Sequence, residues 1–175
     1  MALNKPTPPI IQDPTPFATE VIAQLSSKFS LLNQENQYGS WAIQVSPADY
    51  FSVVSDLKSR HHFTMLTDLC GVHYVEPEPV LAVVAHLHHL PERSRVFVSV
   101  HLPMDDPSID SLVSLYDAAN WMERETYDFF GIIFKGHPNL VRILNEDSMT
   151  VFPLRKGFPL EDATREDKDD RMFGR

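Results

Sequence analysis

Glu123, Glu125 and Asp128 lie within six positions of one another and are the residues whose type and spacing come nearest to acid–base chemistry. On a helix, positions 123 and 125 diverge by roughly 200°, so those two carboxylates cannot flank one bond. Glu125 and Asp128, three apart, can share a face. No nucleophile motif, cofactor loop or oxyanion donor cluster accompanies them in the sequence. A self-contained hydrolase built on these carboxylates therefore ranks below a role in contacts. His86 and His88 are a second candidate: two apart on a strand they share a face, with His89 on the other. A His-x-His pair with a third imidazole can hold zinc or iron, and His73 and His101 are expected on neighbouring strands. No Asp or Glu falls inside the His86 strand, and satisfied or surface histidines on a sheet are the commoner outcome. Cys70 reads as a small buried hydrophobe.

The carboxylates sit in residues 121–144, WMERETYDFFGIIFKGHPNLVRIL, a run dense in both charge and aromatic area. Leu115, Ala119, Met122, Glu125 or Thr126, and Phe129 recur at three- and four-residue intervals, the period of one helix face. That phase puts Glu125 on the apolar stripe, where a carboxylate needs a partner. Arg142 is the nearest basic residue in sequence to answer it. Arg124 and Asp128, four apart, are expected to pair on the flank, worth about 0.2–0.5 kcal/mol. Gly131 suits a helix C-cap, residues 132–134 a short extended segment, and His137-Pro138 forces extended backbone.

Positioning these residues requires a scaffold, which reads as an α/β unit of the α+β type. A helix is expected over 16–29, with Phe17, Val21, Ile22, Leu25 and Phe29 on one face. A strand follows at 40–45, then a helix capped by Ser46 and Pro47 and running towards Arg60. Strands at 63–75, 80–90 and 95–102 are joined so briefly that they must be antiparallel neighbours. Residues 111–130 read as helical, with a break near Asn120. The sum is a small mixed or largely antiparallel sheet packed with helices. With six glycines and no glycine-rich phosphate loop, a nucleotide fold has little support.

Length and charge bound the function. A 175-residue chain, 43% hydrophobic, suits one domain, and no window approaches the ~18–20 apolar residues that span a bilayer. The net charge of −9 argues against nucleic acid or anionic lipid as a partner. A single cysteine excludes an internal disulfide and falls short of the four thiolates an iron–sulfur cluster usually takes. Residues 1–15, proline-rich with no apolar core, read as a flexible arm rather than a signal peptide, 16–144 as the folded domain, and 145–175 as an extended segment. Residues 161–175 carry six acids and four bases with little to bury. Met172 and Phe173 favour a tail that orders along a neighbouring subunit.

The run at 121–144 closely resembles the signature of the thirty-kilodalton subunit family of complex I, the bacterial NADH-quinone oxidoreductase. The match is carried by Glu123, Arg124, Glu125, Tyr127, Asp128, Phe130, Gly131, Ile132, Phe134, His137, Pro138, Leu140, Arg142, Ile143 and Leu144. A second element of the family follows in order and spacing: Phe152, Pro153, Leu154, Arg155 and Lys156. The first 110 residues match only in layout.

The resemblance implies a cofactor-free hydrophilic subunit of the peripheral arm, with no catalytic, cofactor-binding or metal-ligating residues of its own. FMN and iron–sulfur clusters would lie in other subunits, passing electrons from NADH to quinone, here menaquinone, coupled to proton translocation. Its partners would be the large quinone-site subunit and the cluster-bearing subunits, on the cytoplasmic side of the bacterial inner membrane, which it touches only through the complex. The signature residues would form the subunit interface, and the chain would be the free-standing form, not fused to the large subunit. Two rivals stand beside this reading. One is the equivalent subunit of an energy-converting hydrogenase or a photosynthetic quinone oxidoreductase. The other is an autonomous metal-dependent enzyme using His86 and His88.

Overall fold

The computed structural model describes residues 13–158; most of the arm expected over 1–15, and residues 159–175 of the extended segment expected over 145–175, lie outside them. The chain opens with α1 (Pro16–Lys28), whose start is fixed by Thr15: its Oγ1 accepts the Ala18 N–H at 3.1 Å, and Pro16 fills the first turn. The hairpin β1 (Asn33–Gln37) and β2 (Ser40–Val45) follows, then α2 (Tyr50–Ser59), entered through a turn in which Ser46 Oγ accepts the Asp49 N–H. Three longer strands come next, β3 (Met65–Tyr74), β4 (Val80–His89) and β5 (Ser94–Leu102). The short β6 (Ser108–Asp110), α3 (Ala119–Phe130) and β7 (Ile133–Lys135) complete the order.

The five-stranded sheet runs β1-β2-β5-β4-β3, antiparallel except for the parallel β2–β5 pair, and β6 and β7 form a separate parallel pair. The architecture is the expected mixed, mostly antiparallel α/β one. Register aligns Ile43, Val98, Ala85 and Leu69 in one row across four strands, all buried. Strand side chains alternate, so this row and its neighbours present one apolar face. Onto it pack Val21, Ile22 and Leu25 of α1 and Val53, Val54 and Leu57 of α2, in one continuous core.

Several expectations change. His73 and His101 are not on neighbouring strands, because β4 lies between β3 and β5. The helix expected over 111–130 begins only at Ala119; the chain before it advances by short turns, such as Leu115 N–H to Leu112 O and Ala119 N–H to Tyr116 O. Two strands have no counterpart in the sequence pattern. β1, Asn-Gln-Glu-Asn-Gln, is exposed throughout and has no apolar alternation to announce it. A two-residue turn holds it: Tyr38 and Gly39 both have positive φ, at 51° and 82°, the geometry that matches strand twist. β6 is three residues long, too short to show a period.

α3 lies close under β3 at Gly71. A Cβ added there would sit 2.6 Å from the Phe130 ring and 3.0 Å from Thr126 Cγ2. Gly71→Ala should therefore lower stability by about 1–3 kcal/mol, measured by urea unfolding. An unchanged midpoint would mean that the α3–β3 contact is looser than described.

Candidate functional site

The residues singled out by type and spacing converge on α3 and on the chain that returns across it, residues 137–158. The central one is Asp128, fully buried. Its carboxylate accepts the backbone N–H groups of Ile143 (3.1 Å), Leu144 (2.8 Å) and Asn145 (2.9 Å), the Asn145 amide (3.1 Å) and Arg142 Nη1 (2.7 Å). Burial pushes its pKa up, but the amides of Asn145 and Leu144, the Arg142 guanidinium and the Ile143 amide outweigh that. They hold the carboxyl well below the usual range.

Arg142 therefore answers Asp128, not Glu125 as expected. Its remaining donors reach the carbonyls of Asp128 (2.9 Å), Met149 (2.6 Å) and Val151 (3.2 Å), and its guanidinium lies 5.3 Å from the Phe152 ring centre. Arg124 does not pair with Asp128 either. It donates to the carbonyls of Val141 (3.1 Å) and Arg142 (2.9 Å) and stacks over Trp121. Arg155 donates to the Phe130 carbonyl at 2.7 Å, and its guanidinium lies 4.7 Å from the Phe152 ring centre. The Leu154 N–H reaches the Phe129 carbonyl, and the Lys156 N–H reaches His73 Nδ1 at 2.9 Å.

Gly131 ends α3 in the left-handed conformation, φ 71°, as expected of a C-cap. It has a second reason to be glycine: a Cβ there would meet the Phe152 ring at 2.5 Å. Tyr127 packs edge-on to the same ring. The turn before Pro138 is pinned by His137, whose Nε2 faces the Asn120 carbonyl at 3.1 Å while Nδ1 accepts the Asn139 N–H at 3.0 Å. The ring thus joins α3 to the returning chain through both nitrogens.

The stripe expected on α3 runs through Ala119, Met122, Thr126 and Phe129, and the correction is that Thr126 rather than Glu125 lies on it. Glu125 is exposed, and the buried positions are Ala119, Glu123, Thr126 and Asp128. The helix starts at Ala119, so Leu115 lies before it. Glu123 is the carboxylate in the core. It accepts Ser111 Oγ–H and the Leu112 N–H, both at 2.6 Å, and so stops the chain that enters the helix. Burial raises its pKa to about 7, against the opposing pull of those two hydrogen bonds. Tyr50 is buried beside it, its hydroxyl without a hydrogen-bond partner among the described residues. Ser111 and Asn145 are members of the site that the sequence does not reveal, since nothing in their spacing points to a distant carboxylate.

His86 and His88 do share a face of β4, opposite His89, but His86 is stacked on Phe97 with ring centres 4.2 Å apart. Among the described residues no three His, Cys, Asp or Glu side chains come together as metal donors. Cys70 is exposed rather than buried.

The convergent geometry is a strap: residues 137–158 are tied to α3 by the charged half of the run, while apolar side chains face outward. Leu144 is 66% exposed and Trp121 58%, with Val141, Val151 and Leu154 also exposed. Such a surface suits contact with another macromolecule.

The family described as respiratory-chain NADH dehydrogenase, 30 Kd subunit, matches residues 43–164. A NADH-quinone oxidoreductase subunit of Citrifermentans bemidjiense is 38% identical over 153 residues, covering 86% of this chain and 95% of that protein. A solved trypsin-resistant fragment (1-134) of Nqo5 is similar at TM-score 0.64 and 32% identity, covering 71% of this chain and 99% of that one. The membrane-bound sulfane sulfur reductase, an archaeal respiratory membrane complex, contains a chain alike in fold at TM-score 0.71 and 22% identity, with 86% and 96% covered.

Two measurements follow from the buried carboxylates. The folded Glu123 value lies above the ordinary 4.5, so the folded chain keeps its proton to higher pH than the unfolded chain. The Glu123 contribution should be full below about pH 4.5, fall by roughly 3 kcal/mol as pH rises to about 7, and level off above. Glu123→Gln should flatten that limb in chemical unfolding; an unchanged limb assigns it to another group. Asp128→Ala leaves the Arg142 charge, three backbone amides and the Asn145 side-chain amide without their carboxylate and should loosen the strap by about 3–5 kcal/mol. Trypsin should then cut at Arg142, Arg155 or Lys156 much faster than in the unaltered chain, and equal rates would show that the strap does not hang on Asp128.

Proposed function

Because this chain belongs to the 30-kDa subunit family of respiratory-chain NADH dehydrogenase, we propose that it is a structural, cofactor-free subunit of the peripheral arm of an NADH-quinone oxidoreductase. In that assembly NADH is oxidised and quinone, here menaquinone, reduced through FMN and iron–sulfur clusters held by other subunits, coupled to proton translocation. Its work is to support the large quinone-site subunit and the cluster-bearing subunits. It would sit on the cytoplasmic side of the bacterial inner membrane; among the described residues no helix is long and apolar enough to cross a bilayer.

One observation carries the reading. Most charges of the family signature, those of Glu123, Arg124, Asp128, Arg142 and Arg155, are consumed inside the chain, and that consumption holds Trp121, Val141, Leu144, Val151 and Leu154 in exposed positions along α3 and the strap. A preorganised apolar rim lowers the ordering cost of association. Pro153 and Lys156, at the end of the strap, together with the rest of 145–175, would extend that contact onto neighbouring subunits. Glu125, exposed on α3, belongs to the same surface, whereas Arg142 acts by holding it in shape.

The test separates those two roles. With the full chain as bait in a mild-detergent pull-down from membranes, a flavin and iron–sulfur assembly with NADH-quinone reductase activity should be recovered. Leu144→Asp should lower that recovery at least tenfold while changing the stability of the isolated chain by no more than about 0.5 kcal/mol. Arg142→Ala should instead destabilise the isolated chain by about 3–5 kcal/mol. Recovery of a hydrogenase large subunit would keep the scaffold and change the reaction. A lone chain would overturn the proposal.

A further inference from the structure

The two edges of the main sheet are built differently. β1 is short, polar and exposed at every position, which protects an edge from unwanted pairing. β3, at the other edge, is ten residues long, Met-Leu-Thr-Asp-Leu-Cys-Gly-Val-His-Tyr, with no lysine and no proline. A register shift between Leu66 and Asp68 interrupts its start, but from Leu69 to Tyr74 the ladder to β4 is continuous. Among the described residues no backbone hydrogen bond reaches the outer side of this stretch. Alternate N–H and C=O groups therefore stand ready for another strand.

A groove of about 270 Å³ runs along that edge. Four successive β3 residues, Asp68 to Gly71, line it, so it touches both faces of the strand and lies at the edge itself. Its other wall is α3, with Phe129 and Phe130, brought close by Gly71, and Leu154 of the strap also lines it. Two carboxylates lie on its rim, Asp68 and Glu125, both exposed, and neither has a cation within ion-pairing distance among the described residues.

We infer that the outer edge of β3 is completed in the assembly by an extended segment of a neighbouring subunit, which adds a strand beside Leu69 to Tyr74. The segment is apolar towards Phe129 and Leu154 and basic where it passes Asp68 and Glu125. Main-chain pairing supplies affinity, and the apolar wall and two acids supply selectivity. The uncompensated acids favour this occupant over the chain's own 159–175, which carries a net negative charge. A second copy of β3 would bring its own Asp68 to the same rim. This inference rests on the subunit reading above.

The test is site-resolved hydrogen exchange on the full chain, free and within the purified membrane complex. Amides of β4, flanked on both sides, serve as the slow reference in both states. Every second amide from Leu69 to Tyr74, those not bonded to β4, should exchange freely in the isolated chain and at least tenfold more slowly in the complex. Asp68→Lys with Glu125→Lys should reduce incorporation at least tenfold, with the isolated chain's unfolding midpoint unchanged. Incorporation with those amides still exchanging fast would overturn the inference and leave the subunit reading standing. Protection already present in the free chain would overturn it too, in favour of residues 159–175 if independent of concentration and of a second copy if not. A chain that joins no complex would overturn both.

Discussion

Asp128 organises the second half of this protein because a buried carboxylate must be given donors, and the donors here come from one returning segment. Three consecutive amides, a side-chain amide and a guanidinium converge on two oxygens. The strap has no helix or strand between β7 and Phe158 to satisfy its own backbone. Its amides need an acceptor, and the acid needs its amides. Neither solution exists without the other, which is why a stretch without regular structure can hold a defined path over α3. Arg142 ties the same node to the carbonyls of Met149 and Val151, so the loop beyond is drawn in as well.

Five residues earlier on the same helix, Glu123 faces the opposite balance. It too is fully buried, but it receives only two hydrogen bonds and no cation among the described residues. Two donors do not offset removal from water, so its proton is held to about pH 7 while that of Asp128 is lost far into acid. The contrast shows that burial alone does not decide the charge of a carboxylate; the number and kind of donors do. Glu123 is a neutral-leaning brace for the entry to α3, and Asp128 a fully charged anchor for its exit.

Local pattern carries most of the fold. The amphipathic face of α1, the alternation of β2, β4 and β5, and the glycine stop at Gly131 all express themselves within a few residues, and each is legible in the sequence. What is not legible depends on partners far along the chain. Periodicity extends the helix of α3 back through Leu115, whereas that stretch advances in turns and is tied to Glu123 through Ser111 and Leu112. Proximity in sequence pairs Arg142 with Glu125; three-dimensional packing gives it to Asp128. β1 is invisible because backbone pairing and a Tyr38–Gly39 turn hold it, with no buried side chain at all. The run at 121–144 does need a partner, but most of that need is met internally.

That distinction changes how the family signature should be read. A motif dense in charge and aromatic rings invites the view that every member touches the neighbour. Here Asp128, Arg142, Arg155 and Gly131 face inward to the strap, and their identities follow from donors, acceptors and the space beside Phe152. The outward positions, Leu144, Trp121 and Val151, are chemically plain, because an apolar contact asks for area rather than for a given group. In a protein built this way the charged signature residues shape the surface, and the plainer ones between them are left exposed on it.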